Sequence, residues 1–382
     1  MKEVKSSKMI GKIAFLAGYD PKSVVATEKS LYLGVLRPFV NWAKALDNSV
    51  LVVYKSPVRK ELLNHITVIR THHMDELVRA LKYNNVEVLV SDDYIPRMDL
   101  SIRIGKEINL RKLIYVQILY GVRPLMRCLS KNALDLKARV GVSVLSLIPF
   151  RLISGKYCSF LKKFDYVVAN SRFTASLLHC LYGHEASGVV YPPVDETIFR
   201  PYLTNSVANQ VILYSGTNAL DTNPAFLKQL FELLVNSDSV DRLNILGKSN
   251  YIAMRMGKLV NHPKVNLVYG IGDDALRVMY FKSTLTICPQ EWETFGYVPI
   301  ESMLCGTPVL AFASQPFSEL CEYKDGCYLV YSKNSFLDNL KELLADMKRL
   351  RLMKQKCLQY REDLLENVSQ TRSAERLLSI LG

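Results

Sequence analysis

The chain has 382 residues, 49% of them hydrophobic and 22% charged, a composition typical of a globular protein long enough for about two domains. Its eight cysteines form no Cys-x-x-Cys pair or regular framework, so neither zinc nor disulfides are expected, and we interpret them as buried thiols in a reducing cytosol. The formal net charge of +13 lies entirely in residues 1–200, which hold 30 lysines and arginines against 17 aspartates and glutamates.

The first half of the chain alternates strands and helices. Short apolar runs predict strands at residues 11–18, 49–55, 66–70, 86–93, 112–119 and 164–171. Helical segments separate several of these strands, and a helix follows the last one. This order predicts an α/β domain with a mainly parallel sheet. Three prolines, Pro192, Pro193 and Pro201, place its end near residues 191–202.

The second half repeats this alternation. Strands are predicted at residues 211–216, 242–248, 265–270, 283–290 and 308–313, with helices near 223–235, 250–260 and 273–281. Residues from about 335 onwards form an amphipathic helical end. We therefore expect two doubly wound, Rossmann-like domains, at residues 1–198 and 199–365.

Residues 291–312 carry the motif that is most informative about chemistry. A helix is predicted over residues 297–305, between two strands, with Pro299 in its first turn. Phe295 and Gly296 then lie at the helix entrance, where backbone N–H groups and the helix dipole suit a phosphate. Glu301 lies about one turn into the helix, where it can accept hydrogen bonds from hydroxyls of the molecule carrying the phosphate. Glu293 precedes the helix and can reach a second polyhydroxyl group, although two such glutamates are often only solvated charges.

The spacing of Glu293 and Glu301, followed by Gly-Thr-Pro at residues 306–308, resembles the Glu-x7-Glu signature of retaining glycosyltransferases with the GT-B fold, family GT4. Four further segments, at residues 167–178, 189–201, 244–248 and 268–280, are similar to conserved parts of that family. In the first domain the resemblance is diffuse. It implies two Rossmann-like domains facing a central cleft, with the last helix, about 366–382, crossing back onto the first domain.

The resemblance also implies an activity, which is metal-independent hexosyl transfer with retention from a UDP- or GDP-linked sugar. Glu301 would bind the ribose, and Glu293 would contact sugar hydroxyls near the reacting carbon. The donor-binding residues implied are Glu301, Thr294, Phe295, Gly296, Tyr297, Val298, Gly216, Thr217 and Ile271. No cofactor and no bound metal are expected, because Asp92-Asp93 is only a weak substitute for an Asp-x-Asp motif.

The sequence departs from the family pattern where the diphosphate would bind. Relatives carry Arg-x4-Lys after the first strand of the second domain, whereas Thr217 and Thr222 occupy those positions here. Neither threonine can neutralise a phosphate. Lys248 is the nearest basic candidate in the same domain, and Arg172 could reach across the cleft. The predicted catalytic residues are therefore Glu293, Lys248 and Arg172.

The acceptor and sugar side departs as well. Gln117 stands where relatives acting on lipid-linked sugars have a histidine, and glutamine can bond a sugar hydroxyl but cannot take a proton. The glycine-rich phosphate loop of the first domain is reduced to Gly34, with Gly18 as the alternative. These changes leave a weakened, unusual or lost activity open.

The positive charge is concentrated in residues 97–163, which carry 14 basic side chains against three acidic ones, among apolar runs. Such a segment suits an anionic membrane surface or a polyanionic acceptor, or it is a solvated face. The longest apolar run, residues 140–150, is too short to span a bilayer, and no export signal is expected.

We therefore predict a cytoplasmic enzyme, peripherally associated with the inner face of a membrane, that transfers a sugar to a glycan, lipid-linked or other acceptor. One alternative is a catalytically silent GT-B module that binds ligands or partners. A weaker alternative is a glycosyltransferase acting on nucleic acid.

Overall fold

The computed structural model describes residues 11–18, 36–54, 66–117, 150–202, 209–215, 223–247, 261–291, 293–313, 316, 319–320 and 326–382. Within these residues the chain divides into two compact units, each built on one sheet of parallel strands. The division lies between Val194 and Asp195, and residues from Val368 onwards belong to the first unit.

The described part of the first unit has seven strands: β1 (Lys12–Gly18), β2 (Ser49–Tyr54), β3 (Thr67–Thr71), β4 (Val86–Asp92), β5 (Arg111–Val116), β6 (Tyr166–Ala169) and β7 (Gly188–Val189). Its helices are α1 (Arg37–Ala45), α2 (Met74–Tyr83), α3 (Ile95–Glu107), α4 (Phe150–Leu161), α5 (Arg172–Tyr182) and, at the end of the chain, α12 (Gln370–Leu381). The strand order is β3-β2-β1-β4-β5-β6-β7, and every pairing is parallel. This is a doubly wound sheet, and the predicted fold class is confirmed for this half.

The sheet of the first unit is covered on both faces, as the long apolar runs of its strands require. Successive side chains of β1 point into different hydrophobic layers. Phe15 lies in a layer with Trp42 of α1 and Leu377 of α12. Its neighbour Leu16 lies in the opposite layer with Leu81 of α2. The two layers hold β1 in the centre of the unit.

Hydrogen bonds as well as apolar contacts hold α12 on the first unit. The indole Nε1 of Trp42 donates to Ser373 Oγ at 2.9 Å, and Ser373 Oγ in turn donates to the carbonyl oxygen of Tyr191 at 2.7 Å. Val194 and Ser369 form an isolated parallel bridge beside them. The last helix is therefore a structural element of the first unit, although it follows the second unit in sequence.

The described part of the second unit has six strands: β8 (Gln210–Tyr214), β9 (Arg242–Leu246), β10 (Val265–Val268), β11 (Ser283–Cys288), β12 (Val309–Phe312) and β13 (Cys327–Val330). Its helices are α6 (Pro224–Val235), α7 (Asp273–Lys282), α8 (Tyr297–Leu304), α9 (Lys333–Ala345), α10 (Met347–Gln359) and, except for its last residue, α11 (Arg361–Val368). The strand order is β10-β9-β8-β11-β12-β13, again with parallel pairings throughout. The helix predicted near 250–260 lies outside the described residues.

The two faces of this second sheet differ in polarity. Ile287 of β11 packs in a large apolar layer with Phe231 of α6 and Phe336 of α9. The preceding residue, Thr286, points to the other face, where its Oγ1 lies 2.8 Å from Ser302 Oγ of α8. A buried contact between two hydroxyls thus joins α8 to the sheet, next to the predicted donor site.

Candidate functional site

The loop between β11 and α8 is held by buried side chains. Gln290 is buried, and its Nε2 donates to the carbonyl oxygen of Tyr214, the last residue of β8, at 2.9 Å. The buried ring of Phe295 packs edge-on against Tyr297 with 5.2 Å between ring centroids. The loop is therefore anchored near both of its ends.

The entrance of α8 has the properties of an anion-binding site. Gly296 precedes the helix with φ at +88°, in the left-handed region that favours glycine. Among the described residues no side chain caps this helix, and its first turn contains no carboxylate. The N–H groups of such a turn and the positive end of the helix dipole attract a phosphate.

Glu301 lies one turn into α8 and is only 1% exposed. Its Oε2 accepts a hydrogen bond from the hydroxyl of Tyr280, on α7, at 3.2 Å. Burial of a carboxylate costs free energy unless hydrogen bonds compensate it, and acidic residues are rarely this buried. Burial and, after it, the charge of Glu301 raise the pKa of Tyr280 well above its ordinary value, so the hydroxyl keeps its proton and donates.

A polar network fixes the position of α8. Ser302 Oγ lies 2.8 Å from Thr286 Oγ1 and 3.0 Å from the carbonyl oxygen of Thr307. Thr307 Oγ1 donates to the carbonyl oxygen of Tyr280. The network joins β11, α7 and α8, and it holds the backbone of Tyr280 independently of the tyrosine hydroxyl.

Two arginines of the second unit, Arg361 and Arg277, donate hydrogen bonds to backbone carbonyl groups. Arg361 donates from Nε to Leu304, at the C-terminal end of α8, at 3.3 Å, and from Nη2 to Phe199 at 3.5 Å. Arg277 of α7 donates from Nε to the carbonyl oxygen of Arg200 at 2.8 Å. Arg361 thus lies at the end of α8 opposite the anion-binding entrance. It does not replace the missing Arg-x4-Lys pair.

The structure brings together the central set of predicted donor-site residues in one loop and helix: Glu293, Thr294, Phe295, Gly296, Tyr297, Val298 and Glu301. Ile271 lies in the loop between β10 and α7 and is 39% exposed. The remaining candidates of this domain lie outside the described residues: Gly216, Thr217 and Lys248. The roles of all these residues stay predictions.

Two predicted site residues of the first unit are described. Arg172 is the exposed first residue of α5, directly after its N-cap Ser171. Gln117 follows β5 and is buried. Gly34 lies outside the described residues.

Asp93 is a buried residue of the first unit next to Gln117, and its structural role was not predicted. Its Oδ1 accepts the backbone N–H of Gln117 at 3.0 Å, and its Oδ2 accepts the hydroxyl of Tyr157 at 3.2 Å. The neighbouring Asp92 forms a buried ion pair with Arg97. Both carboxylates therefore serve the first unit internally. In the part of the chain that the structure describes, no group of three or more His, Cys, Asp or Glu side chains could hold a metal ion.

The described part of the basic segment, within residues 97–117 and 150–163, is less positive than its sequence indicates. Four of its described cations form ion pairs with carboxylates: Arg97 with Asp92, Arg103 with Asp99, Arg111 with Glu87 and Lys112 with Asp165. Three of those carboxylates, Asp92, Glu87 and Asp165, lie outside the segment, so a charge count confined to residues 97–163 does not include them. Among the described helices, each is too short or too polar to cross a membrane.

The prediction of buried thiols holds for part of the set. Cys288, Cys305 and Cys357 are buried thiols. Cys180 is exposed on α5, so the prediction is wrong there. Burial and, after it, the charge of Glu301 raise the pKa of Cys305, so this thiol stays protonated beside the carboxylate.

The second unit is similar in sequence to known glycosyltransferases. A family model described as glycosyl transferases group 1 matches residues 195–359. D-inositol 3-phosphate glycosyltransferase 1 of Catenulispora acidiphila is 29% identical over 175 residues, which cover 39% of this chain and 41% of that protein. D-inositol 3-phosphate glycosyltransferase of Thermobifida fusca is 28% identical over 178 residues, covering 38% and 39% of the two chains. The matches thus span about two fifths of the length of these relatives.

Solved structures are similar over nearly the whole chain. Sucrose-phosphate synthase from Thermosynechococcus elongatus has a TM-score of 0.70 at 18% identity, covering 97% of this chain and 98% of that one. Anabaena Alr3699/HepE, in complex with UDP and glucose, has a TM-score of 0.71 at 13% identity, covering 97% and 99%. At these identities the similarity establishes the fold. Residues 195–359 thus match the glycosyl transferases group 1 family model, and the fold of the chain is GT-B.

Proposed function

We propose that this protein is a retaining, metal-independent glycosyltransferase that uses a nucleotide-sugar donor. The observation that carries the proposal is the position of Glu301, a buried carboxylate one turn inside a helix whose entrance is uncapped by any described side chain. One ligand could therefore bind with its phosphate at the entrance of α8 and with its hydroxyl groups at Glu301.

The donor would bind along α8. Its diphosphate would accept hydrogen bonds from N–H groups around Gly296 and Tyr297. Glu301 lies four residues further, about 6 Å along the helix axis at 1.5 Å per residue, and would accept hydrogen bonds from the ribose. Glu293, in the loop before the helix, would contact hydroxyls of the transferred sugar. Ile271 would lie against the base.

During transfer, the bond between the sugar and the diphosphate would break. The negative charge of the departing diphosphate must then be stabilised. Oriented N–H groups and the dipole of α8 supply part of that stabilisation without reorganisation. Lys248 and Arg172 are our candidates for the cations that Thr217 and Thr222 do not supply. Retention would follow from attack of the acceptor hydroxyl on the face that the diphosphate leaves, with a phosphate oxygen taking the proton.

The base of the donor is proposed to be uracil or guanine. The relative from Anabaena, crystallised with UDP, supports the first choice by analogy. We propose no cofactor beyond this donor.

A glycan or lipid-linked acceptor would approach the first unit, with Gln117 and Gly34 on its sugar side. We propose that this takes place at the cytoplasmic face of an anionic membrane. The basic segment supports this, although four of its described cations are already paired. Those pairs also reduce the attraction to nucleic acid, so we do not propose a nucleic-acid acceptor.

The second candidate function is ligand binding without catalysis. The threonines at positions 217 and 222 favour it, because they remove both cations that relatives place beside the diphosphate. The two functions differ in turnover but not in binding.

The test is donor turnover, measured as release of UDP or GDP from a panel of nucleotide sugars. We expect release for at least one donor, and its loss in Glu301→Ala. Glu291→Gln is the matched control, because Glu291 lies in the same loop but is exposed and paired with Lys333 at 2.8 Å. Binding of a donor without release in the wild type would support the silent module instead.

A further inference from the structure

We infer that Tyr280 is a positioning residue for the ribose of the nucleotide, acting by orienting the carboxylate of Glu301. The inference rests on the proposed function, since it presumes that Glu301 accepts hydrogen bonds from a ribose.

The contact joins two elements that meet only in the folded protein. Tyr280 and Glu301 are 21 residues apart, on α7 and α8, and the hydroxyl lies 3.2 Å from Oε2. Tyr280 is fully buried and Glu301 nearly so. A hydroxyl has one proton to donate, and here it is directed at the carboxylate.

The hydroxyl is not required to hold the tyrosine in place. The ring of Tyr280 packs against Phe199, with 6.3 Å between centroids, and its carbonyl oxygen accepts from Thr307 Oγ1. Phenylalanine retains the ring contact and the backbone bond. The substitution Tyr280→Phe therefore removes mainly the hydrogen bond to Glu301.

That hydrogen bond has two effects on Glu301. It stabilises the charged form of a buried carboxylate, and it restricts rotation about the last side-chain torsion, which is otherwise broad. A ribose offers two adjacent hydroxyls as donors. Bonding both with good geometry requires a charged carboxylate in one orientation, which Tyr280 supplies before the nucleotide arrives.

The inference predicts a specific change in selectivity. Wild-type protein should bind UDP more tightly than 2′-deoxy-UDP, because the deoxy compound lacks one donor to Glu301. In Tyr280→Phe we expect UDP to bind about tenfold more weakly, the magnitude of one hydrogen bond to a charged group. Binding of 2′-deoxy-UDP should weaken much less, so the ratio of the two dissociation constants falls.

The experiment is calorimetric titration of wild type, Tyr280→Phe and Tyr115→Phe with UDP and 2′-deoxy-UDP, and with the matching guanosine pair. Tyr115 is the control, a fully buried tyrosine of the first unit whose hydroxyl donates to the carbonyl oxygen of Val190 at 2.8 Å. Tyr115→Phe should keep the wild-type ratio. A merely structural role for Tyr280 would weaken ribose and deoxyribose nucleotides alike and leave the ratio unchanged.

The outcomes separate this inference from the proposed function. A wild-type preference for ribose that Tyr280→Phe preserves would overturn the inference and leave the proposed function standing. Absence of nucleotide binding in the wild type would overturn both. Partial unfolding of a variant would weaken the apparent binding of both nucleotides by the same factor, so it would leave their ratio unchanged and cannot imitate the expected result.

Discussion

Trp42 and Ser373 form a buried hydrogen bond of 2.9 Å, from the indole nitrogen to the hydroxyl, although 331 residues separate them in sequence. Trp42 lies on α1 and Ser373 on α12. Ser373 also donates to the carbonyl oxygen of Tyr191, so one hydroxyl links three segments of the first unit. The stability of that unit therefore depends on the last helix of the chain.

Ser373→Ala should lower the free energy of unfolding by about 1 to 3 kcal/mol, because it leaves the buried indole N–H without its acceptor. Urea unfolding followed by tryptophan fluorescence measures the loss. The matched control is Ser379→Ala on the same helix, at an exposed hydroxyl that donates within α12, to the carbonyl oxygen of Arg376. Equal effects of the two substitutions would contradict the structural role of Ser373.

Gly296→Ala should destabilise the second unit by about 1 to 3 kcal/mol, since φ at +88° is strained for a residue with a Cβ. It should also weaken nucleotide binding by displacing the N–H groups at the entrance of α8. Gly155→Ala tests the opposite case, because this glycine lies within α4 and an added Cβ would meet nothing within 4 Å. There we expect a gain of about 0.5 to 1 kcal/mol. An unchanged or raised free energy of urea unfolding in Gly296→Ala would refute this account of Gly296.

Asp93→Ala should cost about 2 to 4 kcal/mol, because it removes the acceptor of both the Gln117 N–H and the Tyr157 hydroxyl. Tyr157→Phe, which removes only one of these bonds, should cost less. Chemical denaturation of the two variants and of the double variant gives the coupling between the residues. If the two losses simply added, Asp93 and Tyr157 would not interact as the geometry indicates.

The protein should lose stability in alkaline solution for a defined reason. Burial and, after it, a neighbouring carboxylate raise the pKa of both Tyr157 and Tyr280 well above their ordinary value. Above about pH 10 these tyrosines are deprotonated in the unfolded chain but protonated in the folded one. The unfolded state then binds fewer protons, so the free energy of unfolding falls as pH rises, by about 1.4 kcal/mol per pH unit for each group. Below pH 10 this contribution is fully present.

The variant Tyr157→Phe/Tyr280→Phe should show a shallower fall above pH 10. Urea unfolding at several pH values measures both slopes, and measurements near pH 7 serve as the reference, because neither tyrosine titrates there in the folded or the unfolded state. An identical slope in the variant would show that these two hydroxyls do not cause the alkaline instability.

Much of the fold follows from local sequence patterns, because buried parallel strands are continuous apolar runs and helix ends carry specific residues. The helix α8 illustrates this: Pro299 lies in its first turn, and Gly306 follows its end with φ at +85°. Strand β13, the four residues Cys327–Val330, was not predicted, because a run this short does not by itself distinguish a strand from other local structure. A short strand of that kind lacks the strong apolar pattern of β11.

The candidate site was only half predictable for a different reason. Glu293, Gly296 and Glu301 are close in sequence, so their spacing alone indicates a common site. The partner of Glu301 is not local, because the helix-strand-helix connection from α7 through β11 to α8 brings Tyr280 against it. The pairing of Asp93 with Tyr157, 64 residues apart, arises in the same way from the packing of the first unit.

The central claim, that α8 and Glu301 form a nucleotide site, is tested most directly by calorimetric titration with UDP, GDP and ADP, with and without EDTA. We predict selective binding of one nucleotide that EDTA does not change, that Glu301→Ala abolishes and that Glu291→Gln retains. Equal binding by wild type and Glu301→Ala, or no binding of any nucleotide by the wild type, would contradict the claim.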